Sequence, residues 1–419
     1  MASSSTALLI RLKPTSPWRI GPSSGDRDRV DRVYHSDSLY AALCSAMQQL
    51  GWLEEWLDAT ARAEHSAVAV SSCYPYLGDL LLVVPPKHVW PPPASSRVRW
   101  QGAKFVPLSV VDALIAGRPV KEEAWIVEPA SECLLPSHVP AGTSVFRTAV
   151  RSAAAIDREG QSLAAHSTAC IEFAPSAGFW FAAQFRDAES KAAWADRFTA
   201  ALRLLCDTGF GGERTQGWGR ADMPVITEGN LPQLLIRPGR LPQESERAYW
   251  MLSLYHPSES DPVDWKRGQY ALTSRSGRVE SSAGWGSRKR ETRMVTEGSV
   301  VIAVNQNGSD RAPLGSCVDV APEGFAHPVY RSGIALAIAL PAPKKPLELK
   351  ASEPKPAVEA VKLEPVKLEP VEPEPATQEP IAEEQVTQDS VNAAASEPLF
   401  DDDLPTLGFT HKQAQEDEA

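Results

Sequence analysis

The stretch Gly209-Phe210-Gly211-Gly212-Glu213-Arg214-Thr215-Gln216-Gly217-Trp218-Gly219-Arg220 stands directly behind the clearest helical pattern in the chain. That pattern runs over Ala188–Cys206, where Trp194, Phe198, Leu202 and Leu205 recur at the spacing that lines one face of an α-helix. Five glycines among the eleven positions 209–219 open backbone conformations closed to other residues. Such a backbone can turn several N–H groups toward one anion. Arg214 and Arg220 add charge, and Trp218 offers a flat face for stacking a base. The loop follows a helix C-terminus, so the helix dipole gives no help in holding an anion. It lacks the Gly-Lys-Ser/Thr ending of a nucleotide-binding P-loop and fits no GxGxxG register, which makes nucleotide hydrolysis a poor reading. A turn that merely reverses the chain is the competing reading, and composition alone weighs the two equally.

On the N-terminal side of this helix, Thr143–Arg186 reads as two or three strands rich in Val, Ile, Phe and Trp; on the far side of the loop a strand is expected near Val225-Ile226. At the start of the chain, Ala7–Lys13 reads as a strand stopped by Pro14 and Pro17. A helix then carries Leu39, Leu43, Met47 and Leu50 on one face, with Ser36 or Asp37 as its cap and Gly51 as its stop. Ala67–Cys73 and Asp79–Val84 are expected strands on either side of a turn, Tyr74-Pro75-Tyr76-Leu77-Gly78. A proline-rich excursion from Pro85 to Pro93 and a short helix over Ser109–Ala116 complete the first half. The order strand, helix, two strands, insertion, helix, strand is that of a ferredoxin-like split βαβ domain. Beyond Asn230 the chain is mostly strand-like, over Ala248–Tyr255, Gln269–Ser274, Ser299–Asn305 and Ile334–Leu340, which reads as a second α+β domain with few helices. The expected division is 1–229, 230–340 and a tail, 341–419.

The tail explains the charge. The chain carries 42 Lys and Arg against 53 Asp and Glu, a net −11. Residues 341–419 alone hold 7 basic and 18 acidic residues, so residues 1–340 are neutral with 35 of each. Nucleic acid is therefore not excluded as a partner, and the body is judged by its local patches. The tail also holds 12 of the 36 prolines, no Trp, and a repeated Val-Lys-Leu-Glu-Pro pentad from Val361 to Pro370. Such a segment buries too little apolar surface to offset its ordering entropy and is expected to be disordered. The six cysteines are scattered without metal-ligand spacing, so no zinc site or other cofactor is expected. No apolar run reaches signal-peptide or membrane-span length, which gives the expectation of a cytoplasmic protein with no membrane partner.

Three further groups of residues invite a functional reading. His35-Ser36-Asp37 has the composition of a nuclease base with a carboxylate partner, but a helix cap explains it as well. Arg147, Arg151 and Arg158 sit in a β-like stretch, and the even offset places Arg147 and Arg151 on one strand face as a phosphate stripe, with solvated surface arginines as the bland alternative. Arg275, Arg278, Arg288-Lys289-Arg290 and Arg293 interleave with Tyr270 and Trp285, the composition of single-strand RNA recognition.

Taken together, these segments resemble the RAMP superfamily of CRISPR proteins, whose hallmark is a glycine-rich loop after the last helix of a ferredoxin-like domain. The similarity is to its Cas5-like group in the type III-A form. It is carried by His35-Ser36-Asp37-Ser38-Leu39-Tyr40-Ala41-Ala42-Leu43, Tyr74-Pro75-Tyr76-Leu77-Gly78-Asp79, Pro85-Pro86-Lys87, Ile156-Asp157-Arg158, the loop from Gly209, Glu297-Gly298-Ser299-Val300 and His327-Pro328-Val329-Tyr330-Arg331-Ser332-Gly333. It spans about residues 7–340 in consistent order. The resemblance implies tandem ferredoxin-like α+β domains and a non-catalytic RNA-binding subunit that caps the 5′ repeat-derived handle of the crRNA. It implies contacts with a large polymerase-palm-containing subunit and with a backbone RNA-cleaving subunit, and target RNA met through the complex. On this resemblance the handle grip falls on Gly211, Gly212, Arg214, Gly217, Trp218, Gly219 and Arg220, with Arg147, Arg151, Arg158, His327 and Tyr330 as further candidates. Glu213 departs from the family pattern, which often has Lys there, and shifts weight to Arg214. The rival is a Cas6-like endoribonuclease with His35 as general base; a third reading is the equivalent subunit of a type III-B complex.

Overall fold

The computed structural model describes residues 6–22, 24–90, 100–140, 142–156, 163–237, 246–281, 284–304 and 312–341. Arg158 and residues 342–419 of the tail lie outside the described residues.

Four α-helices are described: α1 (Ser36–Gln49), α2 (Leu53–Thr60), α3 (Leu108–Ile115) and α4 (Ala188–Thr208). Along the first half run β1 (Ala7–Leu12), β2 (Val68–Val70), β3 (Tyr74–Leu77), β4 (Leu80–Val83), β5 (Val106–Pro107), β6 (Trp125–Glu128), β7 (Cys133–Pro136), β8 (Phe146–Ile156), β9 (Leu163–Phe173), β10 (Ala177–Phe185) and β11 (Val225–Gly229). The main sheet has the order β11-β1-β10-β3-β4-β5, with β2 also on β10. Counting β1, β3, β10 and β11 as strands one to four, the order is 4-1-3-2 and antiparallel throughout, the ferredoxin-like arrangement. Helices α1 and α4 turn Leu39, Leu43 and Met47, and Trp194, Phe198, Leu202 and Leu205, into its core, as the periodicity predicts.

Two expectations are corrected here. Tyr74–Leu77 is strand β3 and not a turn; Pro75 sits opposite Phe179 and the reversal comes at Gly78. Neither Ser36 nor Asp37 caps α1: His35 holds the N-cap position and makes no side-chain cap bond. A true cap is found on α4, where Asp187 Oδ1 accepts the Ser190 N–H at 2.7 Å.

The second half contains β12 (Glu246–Met251), β13 (Val263–Gln269), β14 (Leu272–Arg275), β15 (Arg278–Ser281), β16 (Gly284–Arg288), β17 (Thr292–Val295), β18 (Val300–Val304), β19 (Cys317–Asp319), β20 (Tyr330–Ser332) and β21 (Ala337–Leu340). Its four-stranded sheet, β13-β18-β12-β21, repeats the 4-1-3-2 order, again antiparallel. No helix crosses this sheet among the described residues; irregular chain and small hairpins take that place. Strand alternation sorts its side chains between two cores. Ala248, Trp250, Val300, Ile302, Ile338 and Leu340 join the core of the N-terminal sheet. Tyr249, Met251, Val301 and Ala303 fill a separate cluster with Tyr255 and Val295. Among the hydrogen bonds that stitch the seam are those from Tyr74 Oη to the Leu252 carbonyl (2.7 Å) and from Trp250 Nε1 to the Val84 carbonyl (3.2 Å).

Candidate nucleic-acid interface

The glycine-rich loop closes on its own chain. Phe210 N–H donates to the Gly219 carbonyl (2.9 Å), Gly219 N–H to Pro17 (2.8 Å) and Gly212 N–H to Arg19 (2.9 Å). The Phe210 ring stacks on Trp18 with centroids 5.0 Å apart. A Cβ on Gly219, at φ 81°, would lie 2.0 Å from the Phe210 carbonyl oxygen, and one on Gly211, at φ 74°, would lie 2.4 Å from that of Arg19. The close approaches these glycines permit are thus to Phe210 within the loop and to Arg19. The expectation that Gly212 offers its N–H to an anion is corrected, because that donor is engaged by Arg19. Gly217 is different: its φ is 78° but open space surrounds its Cβ position. Arg214 and Trp218 are half-buried, and Arg220 is exposed.

Sequence reasoning missed Arg19, the residue around which this face is built. Arg19 is 7% exposed, and its guanidinium donates to the carbonyls of Ala169 (2.9 Å), Arg29 (2.6 Å) and Asp26 (2.6 Å). Burial lowers its pKa, and Glu213 opposes that shift, so the departure at Glu213 compensates a buried cation. Trp18 exchanges backbone bonds with Ile171 of β9 (2.9 and 2.8 Å). Residues 17–20 therefore sew the glycine loop to the base of the β8–β9 hairpin. From Arg151 to Ala154, and at His166 and Ser167, that hairpin is exposed on both faces. Arg147 and Arg151 share a face, as the even offset predicts, and both pair with Glu172; the Arg147 Nη2–Glu172 Oε2 distance is 2.9 Å. The structure thus brings Arg147 and Arg151 to the side of the loop.

His327 and Tyr330 lie in the second half. His327 is exposed, with Nδ1 donating to the Pro328 carbonyl (2.9 Å) and its ring edge-on to Phe325. The Tyr330 ring lies under the Arg62 guanidinium, 5.8 Å away.

The motif His35-Ser36-Asp37 joins the two halves. Asp37, with 2% of its side chain exposed, accepts bonds from Arg275 Nε (3.0 Å) and Nη2 (2.9 Å) and from Arg331 Nη1. Burial raises the Asp37 pKa, but the two guanidiniums overcome it and hold the carboxyl well below its usual range. Ser36 Oγ accepts the Leu254 N–H (3.0 Å). His35 lies between Glu297 (Nδ1, 2.7 Å) and Asp31 (Nε2, 3.0 Å). Burial works to lower its pKa; Glu297 and Asp31 outweigh that and raise it to about 9. Arg275, expected on an RNA-facing patch, is instead a buried member of this network. Among the described residues no group of His, Cys, Asp and Glu is placed to hold a metal ion, and no helix is long and apolar enough to cross a membrane.

Two antiparallel ferredoxin-like sheets, with a glycine-rich loop after the last helix of the first, make this a tandem α+β protein. Residues 244–340 match the family described as CRISPR Csm4 C-terminal domain. No curated protein matches the sequence. Among solved structures the chain is similar to a Csm3–Csm4 subcomplex of the type III-A CRISPR-Cas interference complex, at 16% identity and TM-score 0.53, covering 80% of this chain and 99% of that one. It is also similar to a Csm1–Csm4 cassette in complex with cA4, at 17% identity and TM-score 0.47, covering 81% and 99%. A type III-B Cmr-beta complex bound to cognate target RNA matches at 11% identity and TM-score 0.39, covering 71% and 86%.

Proposed function

We propose that this chain is a non-catalytic RNA-binding subunit of a type III-A CRISPR effector complex. In this reading it caps the 5′ repeat-derived handle of the crRNA and joins the large subunit to the backbone subunits. The observation that carries it is one continuous face, in which residues 17–20 tie the glycine loop to a two-stranded hairpin bearing Arg147 and Arg151. The Csm4-type C-terminal domain supports the place in the complex. Arg214, Arg220 and the exposed hairpin are the contacts for RNA; the loop glycines shape the turn that presents them. Residues 1–229 and 230–340 are the two ferredoxin-like domains of this subunit, and 341–419 is an appended acidic tail.

The geometry of His35 speaks against the Cas6-like rival. Glu297 and Asp31 raise the His35 pKa to about 9, which favours the protonated imidazole at neutral pH and makes it a poor general base. The test uses purified full chain and repeat-handle RNA. Arg220→Ala and Arg214→Ala should each cost about 1–3 kcal/mol of binding and flatten the salt dependence by about one phosphate contact. Wild-type affinity in both variants refutes the assignment of the loop, and metal-free cutting of the RNA, lost in His35→Gln, restores the rival.

A further inference from the structure

A cleft of about 200 Å³ lies between the two halves, next to the residues that hold the glycine loop. Its walls include Gly21 and Pro22, Ser38 and Ala41 of α1, Arg275 to Gly277, Lys289, and Tyr330 and Arg331 of β20. Gly21 follows Arg19 by two residues, so one short segment runs from the glycine loop into this cleft. The cleft is cationic for two reasons. Arg275 and Arg331 bond the Asp37 carboxylate, which also lines the cleft, and Lys289 brings a further cation to its wall. The surrounding stretch 265–293 also holds 8 basic and 2 acidic residues, while the rest of residues 1–340 holds 27 basic and 33 acidic.

Arg331 is locked into the wall of this cleft. It is 6% exposed; Nη1 bonds Asp37 and Nη2 donates to the Ser276 carbonyl at 2.8 Å. Its Nε–H is buried with no hydrogen-bond partner among the described residues. The cleft thus keeps a fixed guanidinium in its wall, a group whose charge suits a phosphate in particular.

We propose that this cleft takes a phosphate of single-stranded RNA, as a second contact beyond the glycine loop. The inference rests on the reading of the chain as an RNA-binding subunit, and it adds a path: RNA leaving the loop crosses residues 19–22 and enters between α1 and the basic β14–β17 hairpin. Tyr330 at the rim gives a ring beside that phosphate.

Replacing Arg331 itself would disturb the Asp37 network, so the probing variant is Ala41→Glu. Ala41 lies on α1 and lines the cleft, and glutamate suits a helix, so the fold is kept while a carboxylate enters the site. Labelled repeat-handle RNA is titrated into the full chain at several salt concentrations, beside a thermal melt. The expected result is binding about tenfold weaker with a shallower salt slope and an unchanged melt. Arg220→Ala serves as the loop variant, and the two losses should combine in the double variant. If Ala41→Glu binds like the wild type while Arg220→Ala is weakened, the cleft proposal fails and the loop reading stands. If neither variant is weakened, both fail. If Ala41→Glu leaves RNA binding intact but blocks assembly with another subunit, the cleft receives a protein and the proposal is overturned.

Discussion

Asp37→Asn is the most informative single change in this molecule. The substitution keeps the volume and removes one charge from a site where 2% of the carboxylate side chain, 8% of Arg275 and 6% of Arg331 are exposed. Two guanidiniums would then share a neutral amide in a place water barely reaches. Breaking a buried pair by removing one partner costs about 3–5 kcal/mol, because the remaining charge keeps its desolvation penalty and loses its compensation. Here two charges are left, so the loss belongs at the upper end. Urea unfolding followed by tryptophan fluorescence reads it, since Trp18, Trp180 and Trp250 are buried on both sides of the seam. Asp79→Asn is the control: its carboxylate is fully exposed beside Arg11, and such pairs contribute little. A third variant, Asp37→Leu with Arg275→Met and Arg331→Leu, should recover most of the stability, as buried ion groups replaced by apolar side chains often do. A loss below about 1 kcal/mol in Asp37→Asn would refute the argument that these charges are desolvated and mutually dependent.

Other outcomes follow from the same geometry. His35 binds its proton more tightly folded (about 9) than unfolded (6.5), so its contribution is complete below pH 6.5 and is lost as pH rises through 9. Stability should fall by up to about 3 kcal/mol across that window, and urea melts of His35→Gln should be flatter over it. Gly217→Ala should cost about 1–2 kcal/mol for its left-handed backbone alone. Gly219→Ala should cost clearly more, because its Cβ meets the Phe210 carbonyl, and paired thermal melts compare the two. Glu172→Gln frees Arg147 and Arg151 from their shared carboxylate; RNA titrations should show tighter binding and a salt slope steeper by about one phosphate contact.

The N-terminal sheet was legible because its helices obey their period: α1 and α4 carry the apolar stripes that the sequence displays, and Gly51 and Gly209 end them. Helix α2 escaped notice, since eight residues with Trp56 and Thr60 as the buried pair leave no readable stripe. Pro75 disguised β3 as a turn; proline is unfavourable within a strand, and the tertiary pairing with β10 overrides that preference. The destination of Asp37 was beyond reach, because its partners lie 238 and 294 residues away. The same holds for the glycine loop: its composition shows that backbones come close, and only the fold shows that the neighbour is Arg19.

The two-sided burial of β12, β18 and β21 has a consequence for how such a protein can be cut and recombined. Residues 244–340 are one family domain by sequence, yet Trp250, Val300, Ile302, Ile338 and Leu340 belong to the core of the preceding half. Excised alone, this domain would present a broad apolar face to water and aggregate. Grafted onto the first half of a distant relative, it would meet a surface shaped for other side chains. A working chimaera must therefore carry both sides of the seam across together, down to Tyr74, Val84 and the Asp37 carboxylate.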